Sequence, residues 1–288
     1  MIEEETLTSR RRALGLLGGA AFGSLVLPGD ADAEIRRARR VLTTKPPSIY
    51  GKSAIVIDAD TNRVLYTKAA DTKRGVASTQ KLLTALLVVE RGGLNNLVTV
   101  AKTDTHVEPS KLYISSGQQY RRGDLVEALL VKSGNDVARC LARDYAGGQS
   151  AFASEMNARA RKLGMRNSNF VTSNGLPASG QYSTARDVGI LGLAAYNSRT
   201  IRAYIAQKSI KFRYSSGKTV TLSNTNKLLG RSAYCNGMKT GYTRASGRCL
   251  VASGRRGTQD VVVVVLGSTT THIWNDAGSL LHWGLGIT

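Results

Sequence analysis

The sequence predicts an α+β fold: one sheet built from both ends of the chain, flanked by helices, with a mostly helical insertion between the two halves. Three observations carry this expectation. Strand signatures stand near the start, in "SAIVIDADTNRVLYTKAA" (53–70), and return after residue 207. Between them, apolar residues recur at helical spacing through several consecutive segments. Residues 261–266, "VVVVVL", form an unbroken β-branched block suited to a strand buried on both faces.

Each element follows from its residues. The two β-branched runs around 58–62 read as a hairpin. Residues 78–91 form a helix in which Leu82, Leu83, Leu86, Val89 and their neighbours are apolar nearly all round, so it is deeply buried. "GDLVEALLVKSGNDVARCLARDYAG" (123–147) is two helices meeting at Ser133-Gly134, with Asp124 and Glu127 spaced as a capping box at the first. "SAFASEMNARARKLG" (150–164) and "STARDVGILGLAAYN" (183–197) are further helices, the latter opening on Thr184 and Asp187. "SIKFRYSSGKTVTLS" (209–223) is strand, Ser-Gly turn, strand. Strands follow in "GMKTGYTRASGRCLVAS" (237–253) and "DVVVVVLGS" (260–268), and "DAGSLLHWGL" (276–285) closes as a short helix.

The first 33 residues read as an export signal. A basic cluster, Arg10 to Arg12, precedes a Gly-rich apolar run from 13 to 27, then Pro28 and the small-residue site Ala31-Asp32-Ala33. Ser9-Arg10-Arg11 resembles the start of a twin-arginine signal, although Ala13 stands where an aromatic is usual. The run is too short to span a bilayer, so no transmembrane helix is expected in the mature chain. Residues 34–48, "EIRRARRVLTTKPPS", form a basic, poorly ordered lead-in, and 49–288 the main folded domain. The net charge is +20; removing 1–33 takes away three basic and five acidic residues and leaves +22. A basic exported protein suits an anionic envelope, and nothing in the sequence marks a nucleic-acid module. The three cysteines, Cys140, Cys235 and Cys249, match no metal spacing and read as small buried apolar residues. No cofactor or metal is expected.

The chemistry centres on "VASTQKLLTALLVVERG" (76–92). Ser78 stands three residues before Lys81 at the mouth of a buried helix, and positions i and i+3 share a face. A chain of this length holds about one Ser-x-x-Lys by chance. This one holds two, and the second, Ser215 to Lys218, falls in a hairpin turn where such residues are ordinary. Two further groups follow the first: Ser133-Gly134-Asn135 in an interhelical loop and Lys239-Thr240-Gly241 on a strand end. In this order the three resemble the active-site boxes of the serine penicillin-recognising enzymes. The flanks "ASTQKLLTALL", "LLVKSGNDVA", "NTNKLL", "GMKTGYT" and "LLHWGL" narrow the resemblance to the low-molecular-mass D-alanyl-D-alanine carboxypeptidases, peptidase family S11, over roughly 49–288.

The resemblance implies the DD-peptidase/β-lactamase-like transpeptidase fold, an antiparallel sheet flanked by helices. It implies an acyl-enzyme on Ser78, peptidoglycan stem peptides as substrates and β-lactams as covalent inhibitors. Lys81 is then the base, made neutral by burial and by the nearby cation Lys239. Ser133 relays the proton to the leaving amine. Asn135 orients Lys81 and the substrate amide. Backbone N–H groups of Ser78 and Tyr242, beside Gly241, form an oxyanion hole, and Thr240 helps hold the terminal carboxylate.

The sequence also departs from the family pattern. Gln80 replaces a Thr before the motif lysine, and Gln181 stands where a His often precedes the "YSTA" segment. The stretch "GSTTTHIWNDAG" (267–278) lacks the Arg that members commonly place there for carboxylate recognition. Thr240, Lys239 and the general positive field are left to share that task, unless Arg255 or Arg256 folds in. The chain ends at Thr288 without the C-terminal β-domain or amphipathic helix of many relatives, so a soluble or loosely attached enzyme is expected. A class A β-lactamase would need a deacylating glutamate past the Ser-x-Asn box. The acids between Ser133 and Lys239 are Asp136, Asp144, Glu155 and Asp187, all on predicted helices, and 165–181 holds none. A D,D-endopeptidase acting on cross-links is the close rival. A non-catalytic penicillin sensor fits less well, because every reactive group is retained.

Overall fold

In the computed structural model, which describes residues 44–287, the β-branched block lies at the centre of a five-stranded antiparallel sheet. In chain order the elements are β1 (Ser53–Asp58), β2 (Val64–Lys68), α1 (Lys81–Arg91), β3 (Leu97–Thr99), α2 (Lys102–Thr105), β4 (Gln119–Arg121), α3 (Arg122–Lys132), α4 (Asn135–Ala146), α5 (Gln149–Leu163), α6 (Ala185–Asn197), α7 (Arg199–Ile205), β5 (Ser209–Arg213), β6 (Thr219–Ser223), α8 (Leu228–Arg231), β7 (Cys235–Thr243), β8 (Gly247–Arg256), β9 (Gln259–Ser268) and α9 (Ile273–Gly284). The sheet order is β2-β1-β9-β8-β7, so both chain ends build it, as expected. The predicted export signal and the lead-in to residue 43 lie outside the described residues. Of the lead-in, residues 44–48 carry no helix or strand, although the Thr44 carbonyl accepts a 2.9 Å bond from Trp283 Nε1.

Period-two alternation sorts the core. Val262, Val264 and Leu266 of β9 join Ile55 and Ile57 of β1 in the larger cluster, which the helical insertion covers. Val261, Val263 and Val265 face the other way, with Ala54, Val56 and Leu250, against Leu280 and Leu281 of α9. α6 packs on the first face so closely that a Cβ on Gly189 or Gly192 would sit 2.7 Å from Ile57 or 2.8 Å from Val262. α1 is buried from Lys81 to Val88, as its all-round apolar pattern predicts.

Several local expectations are corrected. Residues 78–80 are not α-helical: 77–80 form a 3₁₀ turn that runs into α1. In a 3₁₀ turn residues three apart eclipse, which sets Lys81 over Ser78 more closely than an α-helix would. Asp124 and Glu127 form no capping box. α3 begins at Arg122, so Asp124 is already its third residue, and Glu127 accepts instead from Gln207 Nε2. The 209–223 hairpin stays out of the main sheet; β5 and β6 pair with each other, and Phe212 stacks on Tyr120 of β4. Thr184 does cap α6, accepting from the Asp187 N–H at 3.1 Å.

Candidate active site

The three boxes converge on one cleft. Ser78, Ser133, Asn135, Thr240, Gly241 and Tyr242 all line it, and its volume is about 580 Å³. Each box is marked by a non-glycine residue in left-handed backbone: Ala77 (φ 49°) before Ser78, Ser133 itself (φ 70°), and Met238 (φ 98°) before Lys239. Such conformations cost on the order of 1–3 kcal/mol each and persist only where surrounding packing enforces them.

The enforcement is visible around Ser78. Gly241 of edge strand β7 lies against the 77–79 backbone; a Cβ there would be 2.9 Å from Ser78 N. From the other side Gly175 (φ +84°) presses so close that its Cβ would fall 2.1 Å from the Ala77 carbonyl oxygen. Only glycine permits both approaches. They bring the Asn174 carbonyl to the site, a backbone group that no side-chain motif announces.

Lys81 is wholly buried. Its Nζ lies 2.7 Å from each of Ser78 Oγ, Asn135 Oδ1 and the Asn174 carbonyl oxygen. Asn135 Nδ2 in turn donates to the Glu108 carbonyl at 2.9 Å, which fixes the amide with its oxygen toward the lysine. Burial first, and then the charge of Lys239, hold the Lys81 pKa well below the ordinary lysine range, with Asp136 opposing them. Lys239 is also fully buried; its Nζ donates to the Thr240 carbonyl at 3.1 Å, and burial pushes its pKa down to about 7. Thr240 Oγ1 donates to Thr225 Oγ1 at 2.7 Å. Asp136 accepts N–H bonds from Leu112, Tyr113, Ile114 and Val137, tying the 112–114 loop to the start of α4.

The rival serine is structural. Ser215 Oγ donates to the Gln119 carbonyl at 2.7 Å and accepts from the Gln119 N–H at 3.2 Å. The two sequence departures meet each other: buried Gln80 donates through Nε2 to the Thr172 carbonyl and, at 3.4 Å, to Gln181 Oε1. Gln181 Oε1 also accepts from the Val171 and Thr172 N–H groups, so the pair braces the loop that delivers Asn174.

The sequence leaves Arg255 and Arg256 as arginines that could fold toward the cleft. Arg255 is paired with Asp260, and Arg256 donates to the Gly286 carbonyl; neither lines the cleft. Arg248 does. Its signal lay in strand pairing, which a one-dimensional motif does not show: Arg248 pairs with Ser268, at the threshold of the stretch that lacks an Arg. Among the described residues no carboxylate lines the cleft. Asp144 is paired with Arg122, Asp187 accepts from Asn167 and Ser168, and Glu155 is exposed on α5. Cys249 lines the cleft, but burial pushes its pKa up to about 11, so it is a neutral thiol; all three cysteines are free and buried.

Comparison with known proteins agrees with this geometry. The family model described as Peptidase_S11, D-alanyl-D-alanine carboxypeptidase, matches residues 40–270. The chain is 34% identical to D-alanyl-D-alanine carboxypeptidase DacC of Escherichia coli, over 94% of this chain and 68% of that protein. It is 31% identical to DacB2 of Mycobacterium tuberculosis, over 89% of each. The crystal structure of the Streptomyces K15 DD-transpeptidase superposes with a TM-score of 0.80 at 29% identity, covering 85% of this chain and all of that one. With a family model spanning most of its length and a site assembled from the same three boxes, the chain belongs to peptidase family S11, the D-alanyl-D-alanine carboxypeptidases.

Proposed function

We propose that the protein is a serine-type D-Ala-D-Ala carboxypeptidase that trims peptidoglycan stem peptides through an acyl-enzyme on Ser78. One observation carries the reading: the three contacts of Lys81. A neutral amine has two N–H donors and one lone pair. Asn135 Oδ1 and the Asn174 carbonyl can only accept, so they take the two donors. In the neutral amine the lone pair is then free to accept the proton of Ser78, whose Oγ lies 2.7 Å from Nζ and whose hydroxyl otherwise donates to the Asn174 carbonyl at 3.3 Å. A charged ammonium would instead donate to Ser78 and suppress its nucleophilicity.

The steps follow from that arrangement. Lys81 takes the Ser78 proton as Oγ attacks the carbonyl carbon of the penultimate D-alanine. The Ser78 and Tyr242 N–H groups stabilise the oxyanion. The proton passes from Lys81 through Ser133 to the nitrogen of the terminal D-alanine, the C–N bond breaks, and D-alanine leaves. Water then attacks the ester, again with Lys81 as base. β7 is an edge strand, so the stem peptide can lie along it as an added strand. β-Lactams enter the same acylation step and stay, because the amine released by ring opening remains tethered to the acyl group and obstructs the water that Lys81 would activate. Export to the envelope is supported by the basic N-terminal signal pattern, and among the described residues no helix is long and apolar enough to cross a membrane.

D,D-endopeptidase action is the second reading, favoured by 32% identity to the D-alanyl-D-alanine endopeptidase of Escherichia coli over 88% of this chain and 83% of that protein. Mass spectrometry after incubation with pentapeptide monomers and cross-linked dimers separates the two. The carboxypeptidase releases free D-alanine from monomers and leaves dimers joined; splitting of dimers without loss of D-alanine overturns it.

A further inference from the structure

We infer that Arg248, reaching from strand β8, is the cation that anchors the terminal carboxylate of the substrate. The inference rests on the carboxypeptidase reading above and names the group that selects its substrate.

The chemistry fixes where such a cation must stand. The leaving D-alanine carries a full negative charge separated from the scissile carbonyl carbon by one nitrogen and one Cα. Its partner must therefore sit beside the end of β7 where Tyr242 supplies its N–H. Arg248 is the direct cross-strand partner of Tyr242, so the two side chains share a face of the sheet, and Thr240, two residues along, faces the same way. The guanidinium carbon lies 4.4 Å from the centre of the Tyr242 ring. Arg255, seven residues on in the same strand, is about 23 Å away at 3.3 Å per residue.

The side chain is also held in a receptive pose. Arg248 Nε donates to Thr270 Oγ1 at 3.1 Å, and the Tyr242 ring covers one side. That leaves the edge formed by the two Nη groups for a carboxylate, in the two-pronged geometry that only a guanidinium offers. Among the described residues the cleft lining includes Lys132 and Lys227 but no acid that would compete for the fork. Both lysines carry point charges on flexible stems and lack a planar donor edge. The Arg that the 267–278 stretch lacks is thus supplied one strand over, with Thr270 from that very stretch orienting it.

The test compares kcat/KM for a peptide ending in D-Ala-D-Ala with that for its C-terminal amide. The wild type prefers the free carboxylate by about ten- to a hundredfold, as a charge-assisted fork implies. Arg248→Gln brings the ratio to near one by slowing the carboxylate peptide and leaving the amide within about threefold. Arg248→Lys, which keeps charge but loses the fork, gives an intermediate ratio, and Thr270→Val, which frees Nε, lowers the ratio without removing charge. Lys227→Gln keeps the wild-type preference. Thermal melts accompany each variant, and the amide rate serves as an internal control for folding. An unchanged preference in Arg248→Gln, or its loss in Lys227→Gln instead, overturns the inference alone. Failure of the wild type to release D-alanine from either peptide overturns the carboxypeptidase reading and this inference with it.

Discussion

Replacing Lys239 with Met is expected to make the protein more stable while it loses activity. Met keeps most of the apolar stem, and the buried ammonium is what the fold tolerates poorly. In the folded chain burial holds the Lys239 pKa at about 7, against about 10.4 in an unfolded chain. Between these values the unfolded chain binds one proton more than the folded chain, so wild-type stability rises with pH across that window. At pH 7 the penalty is roughly 4 kcal/mol, and at pH 10 it falls below about 1 kcal/mol. Loss of the 3.1 Å bond to the Thr240 carbonyl costs about 1 kcal/mol in return. The variant should thus gain roughly 3 kcal/mol at pH 7, a rise in Tm of roughly 6–12 °C for a domain of this size. That gain should vanish by pH 10. Urea or thermal unfolding at pH 7, 8.5 and 10, with β-lactam acylation rates measured in parallel, provides the assay. A variant that is less stable at pH 7, or whose gain does not shrink with pH, would refute the assignment of Lys239 as a buried group that ionises near neutrality.

Other perturbations follow from the same geometry. Lys81→Arg should slow acylation by about 10²–10⁴-fold, since guanidinium cannot accept the Ser78 proton; near-normal acylation would remove Lys81 as base. In the wild type, acylation should rise with pH as Lys81, its pKa held well below the ordinary lysine range by burial and by Lys239, loses its proton, and a pH-independent acylation rate would contradict its role as base. Gly175→Ala should destabilise by roughly 2–4 kcal/mol and slow acylation, because its Cβ would meet the Ala77 oxygen at 2.1 Å in left-handed backbone and push Asn174 away from Lys81; wild-type melting would argue against the packing. A double-mutant cycle on Gln80→Thr and Gln181→Ala should give a coupling of about 1 kcal/mol, whereas strict additivity would mean that the two glutamines do not brace the loop together.

Much of this molecule is legible in its sequence because local pattern and global role agree. The valine block lies at the sheet centre with its odd and even positions in different cores, and α1 is buried as its all-round apolar surface requires. Ser78, Lys81, Ser133, Asn135 and Lys239 to Tyr242 gather in and around one cleft, although 161 positions separate Ser78 from Lys239. What escaped was contact between segments. Asn174 takes part through a carbonyl, which every residue owns. Arg248 enters by register across two strands. Gln80 and Gln181 read separately as departures and only together as a hydrogen-bonded pair. The 3₁₀ turn under Ser78 is imposed by two glycine backbones from distant segments, and helix propensity at 78–80 has no access to them.

The central claim is that Ser78, activated by neutral Lys81, is the nucleophile. Peptide mapping by mass spectrometry after incubation with penicillin tests it most directly. One covalent adduct per chain is expected, located on Ser78 and absent from Ser78→Ala. An adduct that persists in Ser78→Ala, or one carried by the turn serine Ser215, would contradict it.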